Sequence, residues 1–259
     1  MKKTAFAVIL LTILMNSNTS FAEDSAYDEV ETLRNVFQTE VSDMAINDPV
    51  YQDKVIAYSR DMLVQSPYTE DLQYFVFADR NENRQNVMVG FYNAYTLSIS
   101  VLGWARISTG NPSRSRHWLT PTGIFENKIS NPSFRAQGTK NAKGWRGFGV
   151  KGSRIWDFGW QRSDRGTKNS KTTGSGNIRL MMHATDPVHG EKRLGRRDSK
   201  GCVRIPAKMN KFLDVYGLID KDYFDHPDSV ASKRVLLKES ERKTVRFPGR
   251  YLIVGDFEI

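Results

Sequence analysis

The stretch from Gln73 to Ile107, QYFVFADRNENRQNVMVGFYNAYTLSISVLGWARI, decides the fold. Tyr74-Phe75-Val76-Phe77 is a short apolar run, and residues 79–85 form a polar turn. Residues 87–92 and 95–107 are rich in β-branched and aromatic side chains, with Leu97, Ile99 and Val101 alternating with Ser98 and Ser100. Period-two alternation of this kind predicts strands. Further strands are expected near residues 178–183, 235–238 and 251–257, and residues 207–216 are the one clear helical pattern in this part. Many short strands broken by Gly and Pro turns predict a mainly β, sandwich- or barrel-like domain rather than a parallel α/β sheet.

Upstream of that stretch the pattern changes. Val30, Leu33, Phe37 and Val41 recur on one helical face, and Tyr51, Val55, Tyr58 and Leu63 suggest a second helix, with Asn47-Asp48-Pro49 as the turn between them. Residues 23–72 are therefore expected to be a small helical N-terminal segment, a packing or capping element, ahead of the β-rich domain of residues 73–259. Before it, Met1-Lys2-Lys3, an apolar run over residues 5–15 and Ser20-Phe21-Ala22 read as a cleaved secretory signal over residues 1–22. That run is too short to span a bilayer, so no membrane span is expected, and the localisation it implies is extracytoplasmic.

The chain has 259 residues, with 39% apolar and 26% charged, ordinary for a soluble globular protein. Lys and Arg number 38 against 29 acids, a formal charge of +9. Removing residues 1–22 takes two lysines and no acids, leaving +7 on 237 residues. There is a single cysteine, Cys202, which excludes an intramolecular disulfide and any multi-cysteine metal site. No metal or cofactor is expected. An unpaired thiol in an exported chain is either a buried inert residue or one kept for chemistry.

Residues 135–171 hold ten Lys or Arg against Asp157 and Asp164, seven glycines, and Trp145, Trp156 and Trp160. So much glycine weakens regular structure. Export makes nucleic acid a poor partner for this basic, aromatic stretch. It is either a solvated loop whose tryptophans cover the sheet or a surface for an anionic envelope polymer, forming a wall beside Cys202.

The chemistry lies in Met181-Met182-His183-Ala184-Thr185 and, after fifteen residues, Ser199-Lys200-Gly201-Cys202-Val203-Arg204. A cysteine nucleophile needs a base or an ion-pair partner, and an imidazole supplies it. With His183 ending one strand and Cys202 following a loop, the two can meet. The N–H groups of Lys200, Gly201 and Cys202 could then face a developing oxyanion, which describes a cysteine acyl-transfer site.

This arrangement resembles the signature of the L,D-transpeptidases, the YkuD-type domain, in which a histidine precedes Ser/Thr-His-Gly-Cys-apolar-Arg/Asn by about fifteen residues. Ser108-Thr109-Gly110 and Thr120-Pro121-Thr122-Gly123-Ile124-Phe125 look like the second conserved region of that family. The chain departs from the pattern at Lys200, where the family usually has histidine. The resemblance implies a periplasmic enzyme in which Cys202 attacks the L-centre of diaminopimelate in peptidoglycan stem peptides, expels the terminal D-alanine and passes the acyl group to an amine. It implies His183 as base, Ala184 fixing the ring through its carbonyl, Ser199 supporting the loop, and Arg204 holding either the loop or a substrate carboxylate. Lys200 would add positive charge beside the thiol. His189 either replaces the missing histidine or is a loop residue; His117 and His226 read as structural. Hydrolysis with water as acceptor, or wall binding without catalysis, are the alternatives.

Overall fold

The computed structural model describes residues 24–42, 44–131, 133–165 and 174–258; the expected leader lies outside them. Two mixed sheets form the body. The first contains β1 (Leu72–Asp79), β2 (Asn86–Asn93), β3 (Ser98–Arg106), β4 (Gly123–Glu126) and β9 (Tyr251–Gly255), in the order β3-β2-β1-β9-β4. The second contains β5 (Phe134–Arg135), β6 (Arg154–Arg165), β7 (Gly174–Ala184) and β8 (Val203–Ile205), in that order. Within these sheets β1 runs parallel to β9 and β7 parallel to β8; the other pairings are antiparallel.

The apolar run at 74–77 reflects a strand covered on both faces. Tyr74, Val76 and Ala78 point into the core between the sheets, where they join Trp156, Phe158, Leu180, Met182, Val203 and Ile205. Phe75 and Phe77 point the other way, onto a second cluster with Tyr51, Val55 and Leu63 of the helix α2 (Pro49–Val64). A strand buried on both faces loses the polar half of its alternation. Asn47-Asp48-Pro49 starts α2 as the turn chemistry predicts: Asp48 Oδ1 accepts from Tyr51 N–H at 3.0 Å, and Pro49 takes the first helical position. The helix before it, α1 (residues 24–36), runs into a π-helical turn at Phe37–Val41. Its stripe of Ala26, Val30, Leu33 and Phe37 enters the inter-sheet core beside Phe212 of α3 (Ala207–Tyr216).

Three expectations need correction. Residues 235–238 are not a strand: Ser229 caps α5 (Val230–Val235), accepting from Ser232 N–H at 3.0 Å, and Val235 is the buried end of that helix. The helix at 207–216 is joined by α4 (Lys221–Asp225) as well as α5. The glycine-rich stretch 135–171 contains the twelve-residue strand β6, whose cross-strand ladder with β7 outweighs the weak local propensity.

A buried polar knot ties β6 to α4. Arg154 donates to Asp220 Oδ1 at 2.9 Å and to the Val235 carbonyl at 2.9 Å, and both Trp156 Nε1 (3.2 Å) and Asn127 Nδ2 (2.9 Å) reach the same Asp220 oxygen. Neither charged side chain is accessible to solvent. Breaking one side of such a pair strands the other charge, so Asp220→Ala should cost about 3–5 kcal/mol by urea denaturation. Replacing both partners with apolar residues should cost much less; equal losses would mean the pair is not acting as a unit.

Candidate active site

The parallel pairing of β7 with β8 builds the site. Its register sets Met182 against Val203, His183 against Arg204 and Ala184 against Ile205. Leu180, Met182, Val203 and Ile205 fill the core. Side chains alternate along strands, so Arg179, Met181, His183, Cys202 and Arg204 all emerge on the opposite face. Cys202 comes alongside Met181, one side-chain repeat from His183, within the diagonal reach of an imidazole.

The loop before Cys202 is held by the Ser108–Thr120 region. Thr109 O accepts from the N–H groups of Asp198 and Ser199 at 3.0 and 2.9 Å, and Ser108 and Arg204 exchange backbone hydrogen bonds at 3.0 and 2.9 Å. Thr120 Oγ1 donates to Gly201 O at 2.8 Å and accepts from Gly110 N–H at 2.9 Å. Gly201 has φ +139°, and a Cβ there would come within 2.7 Å of Ile178 Cδ1, so this turn needs glycine on two counts. Ser199 closes it: its Oγ donates to Cys202 O at 2.6 Å and accepts from Gly201 N–H at 3.0 Å. The Gly201 N–H is thus committed. Among the described residues no acceptor meets the N–H groups of Lys200 and Cys202.

His183 is buried, with Phe148 packed edge-on at 4.7 Å between centroids. Its Nδ1 lies 2.7 Å from Ala184 O. A carbonyl only accepts, so Nδ1 carries the proton and Nε2 is left with the lone pair. Burial holds the imidazolium well below its ordinary range, at about 4, against the opposing Ala184 hydrogen bond. Burial also pushes the Cys202 thiol up to about 11, offset in part by the Met181 N–H and the Arg204 charge, while Asp157 raises it further. The resting pair is a neutral thiol and a neutral imidazole. The cation acting on the sulfur is Arg204; Lys200, expected from sequence to supply that charge, is exposed and does not.

Arg204 Nη1 pairs with Asp198 at 3.2 Å, and the same buried carboxylate also holds Arg193 and Arg114. Arg204 is thereby tied into the loop. The three tryptophans of residues 135–171 have three different situations. Trp156 is core, Trp160 is 71% exposed on the sheet, and Trp145 stacks on His189 (5.7 Å, 12°) with the Arg193 guanidinium 5.0 Å from its ring. The segment carrying Trp145 and Phe148 is clasped over His183: Arg146 N–H donates to Asp186 at 3.0 Å, beside the Val188 and His189 N–H groups. Those donors hold the Asp186 carboxyl down at about 2. His117 Nδ1 meets the Ser115 carbonyl at 2.8 Å, and His226 Nδ1 meets the Asp222 carbonyl at 2.9 Å with the Asp222 carboxylate 3.6 Å away. Phe148, Asp157, Arg179 and Asp198 escaped the sequence reading, because each acts through a contact far along the chain. Among the described residues no group of His, Cys, Asp or Glu is placed to hold a metal ion, and no helix is long and apolar enough to cross a membrane.

The sandwich and the motif-bearing face agree with the comparison to known families. A model of the YkuD family, the L,D-transpeptidase catalytic domain, matches residues 73–221, and the chain belongs to that family. None of the curated proteins matches. Solved structures resemble it at low identity. One is a fused Zn-dependent amidase/peptidase/peptidoglycan-binding domain-containing protein from Clostridium acetobutylicum (11% identity, 83% of this chain, 66% of that one, TM-score 0.31). Another is the helical cell shape determining protein Pgp2 from Campylobacter jejuni (14%, 77% and 56%, TM-score 0.30). A third is Bdellovibrio bacteriovorus Bd1075 (15%, 73% and 50%, TM-score 0.28). The chain spans between half and two thirds of the length of these structures.

The buried imidazole makes stability depend on pH. The unfolded chain takes up its proton near pH 6.5, the folded one only near 4. Below pH 6.5 the unfolded state therefore binds the extra proton, and stability present in full above that pH is lost on acidification towards 4. Wild type should lose about 3 kcal/mol more than His183→Gln between pH 7 and 4 by urea denaturation. Iodoacetamide alkylation of Cys202 should keep rising past pH 9. A plateau at neutral pH would instead mean a resting thiolate–imidazolium pair.

Proposed function

We propose that this chain is an exported cysteine L,D-transpeptidase that remodels or cross-links peptidoglycan, and that residues 73–259 are its catalytic domain. The observation that carries the reading is the β7–β8 register, which brings His183 and Cys202 to one face of the sheet, with His183 Nδ1 engaged by the Ala184 carbonyl. Family membership supports the reaction class, and the signal-like residues 1–22 support action in the periplasm.

In this mechanism, His183 Nε2 takes the Cys202 proton as Sγ attacks the carbonyl at the L-centre of diaminopimelate in a tetrapeptide stem. A neutral resting pair delays that transfer until substrate displaces water, and general-base assistance of this kind is worth about 10²–10⁴-fold. The tetrahedral oxyanion meets the Cys202 and Lys200 N–H groups. Collapse breaks the C–N bond, His183 returns its proton to the departing D-alanine nitrogen, and a thioester remains. An amine acceptor then attacks, loses a proton to His183, and regenerates the thiol as the new amide forms. Gly201 and Ser199 hold the loop that carries the sulfur, Ala184 holds the imidazole, and Arg204 anchors the loop through Asp198.

Incubation with purified muropeptides and mass analysis of the products tests this. Wild type should release D-alanine and form dimers, Cys202→Ala should form none while melting at the wild-type temperature, and His183→Ala should be slowed at least 100-fold. A carbapenem should add one drug mass to wild type and none to Cys202→Ala. Turnover by the alanine variant at a rate near wild type would remove Cys202 from the mechanism, and tripeptide without dimer would make water the acceptor.

A further inference from the structure

Strand β6 carries an irregularity that serves the open face. Asp157 pairs with Met181 and Trp160 with Arg179, so three steps along β6 match two along β7. In a regular strand Asp157 and Trp160 would point to opposite faces. The bulge between them, with Gly159 at φ +77°, brings both out on the face of the sheet that carries Cys202, and bulges are found re-aiming side chains at such sites. Asp157 is buried; its Oδ1 accepts from Gly159 N–H at 2.9 Å, and its Oδ2 ion-pairs with Arg179 Nη2. The Arg179 side chain remains 44% exposed. The backbone carbonyl of the same residue lies 3.9 Å from Cys202 Sγ.

Along β7 the order on the open face is Arg179, then Met181 beside Cys202, then His183. His183 must reach the leaving nitrogen and later the attacking amine, so both nitrogen groups lie on its side of the sulfur. The rest of the acyl donor must run the other way, towards Arg179 and Trp160. Both arginines have a carboxylate partner, Asp198 for Arg204 and Asp157 for Arg179, but Arg204 is the more buried of the two, at 26% exposed, so the guanidinium open to an anion there is that of Arg179.

We propose that Arg179, aimed by Asp157 and flanked by the exposed ring of Trp160, binds a free carboxylate of the acyl-donor peptide and so selects anionic over amidated donors. This rests on the acyl-transfer reading above. In a stem peptide that carboxylate belongs either to the diaminopimelate side chain or to the residue before it. The guanidinium offers a charge-assisted fork to it, and the Trp160 face packs against the aliphatic part of the chain.

The test measures kcat/KM for D-alanine release by wild type, Arg179→Gln and Arg179→Lys, on a tetrapeptide donor and on donors amidated at one or the other carboxylate. Arg179→Gln should lose about 10- to 100-fold on the free donor, the size of a charge-assisted hydrogen bond. Amidating the recognised carboxylate should cost wild type a similar factor and cost Arg179→Gln little more, with Arg179→Lys in between. Trp160→Ala should raise KM for the same donor. Iodoacetamide alkylation of Cys202 serves as the control for the thiol itself. No loss in Arg179→Gln, losses that simply add, or alkylation falling as far as turnover would each overturn the proposal while wild-type turnover leaves the acyl-transfer reading standing. If wild type releases no D-alanine from any donor, that reading fails and this one with it.

Discussion

Three residue pairs between β7 and β8 carry the rest of the site. The register that buries Met182, Val203 and Ile205 is the same one that turns His183, Cys202 and Arg204 outward. A slip of one residue would exchange the two sets, driving an arginine into the core and the thiol beneath the sheet. The hydrophobic effect that closes the sandwich therefore also sets which face carries His183, Cys202 and Arg204. Parallel strands need a long connection between them, and residues 185–202 make it, which is why the motif holds its histidine and cysteine so far apart in sequence.

That connection has little regular structure, so polar contacts must fix it. Asp198, buried among Arg114, Arg193 and Arg204, acts as its hub. Arg193 reaches on to Trp145, Trp145 stacks on His189, and Asp186 gathers the N–H groups of Arg146, Val188 and His189. The same chain of contacts presses Phe148 onto His183 and dries the imidazole. One loop thus fixes the turn that carries Cys202 and, through the clasp on the next, the protonation state of His183.

The sequence is readable where the signal is local. Residues 74–77 and 87–92 form strands because each run is densely apolar, and α3 covers the predicted residues 207–216 because its buried Met209, Phe212 and Leu213 keep helical spacing. His183 and Cys202 stand out in the sequence because short motifs flank both, and the β7–β8 register puts them on one face. β6 could not: its inner face offers Trp156 and Phe158, after which the bulge breaks the period. Residues 235–238 look like a strand by composition, but a short apolar run does not distinguish strand from helix, and the Ser229 cap decides for helix. Arg179 and Asp157 become neighbours only through a register that no periodicity reports. Lys200 shows the opposite failure, a charge close in sequence whose side chain points into solvent.

The direction of the two pKa shifts bears on how a single unpaired cysteine would withstand the oxidising surroundings that export would bring. A cation beside a thiol ordinarily favours thiolate, and Arg204 does act that way here, but burial outweighs it. Thiolates, not thiols, attack disulfides and are oxidised to sulfenic acid. A protonated Cys202 next to an unprotonated His183 is therefore slow towards oxidants and foreign disulfides. In the proposed acyl transfer it would become a nucleophile only when an electrophilic carbonyl lies within reach of both groups, because the proton then has somewhere to go as the new bond forms. Desolvation makes the resting thiol a weak acid, and the Nδ1–Ala184 contact leaves an unprotonated nitrogen on a residue of the same face; under the proposed acyl transfer the two together would restrict reactivity to a substrate that fits the open face of the sheet.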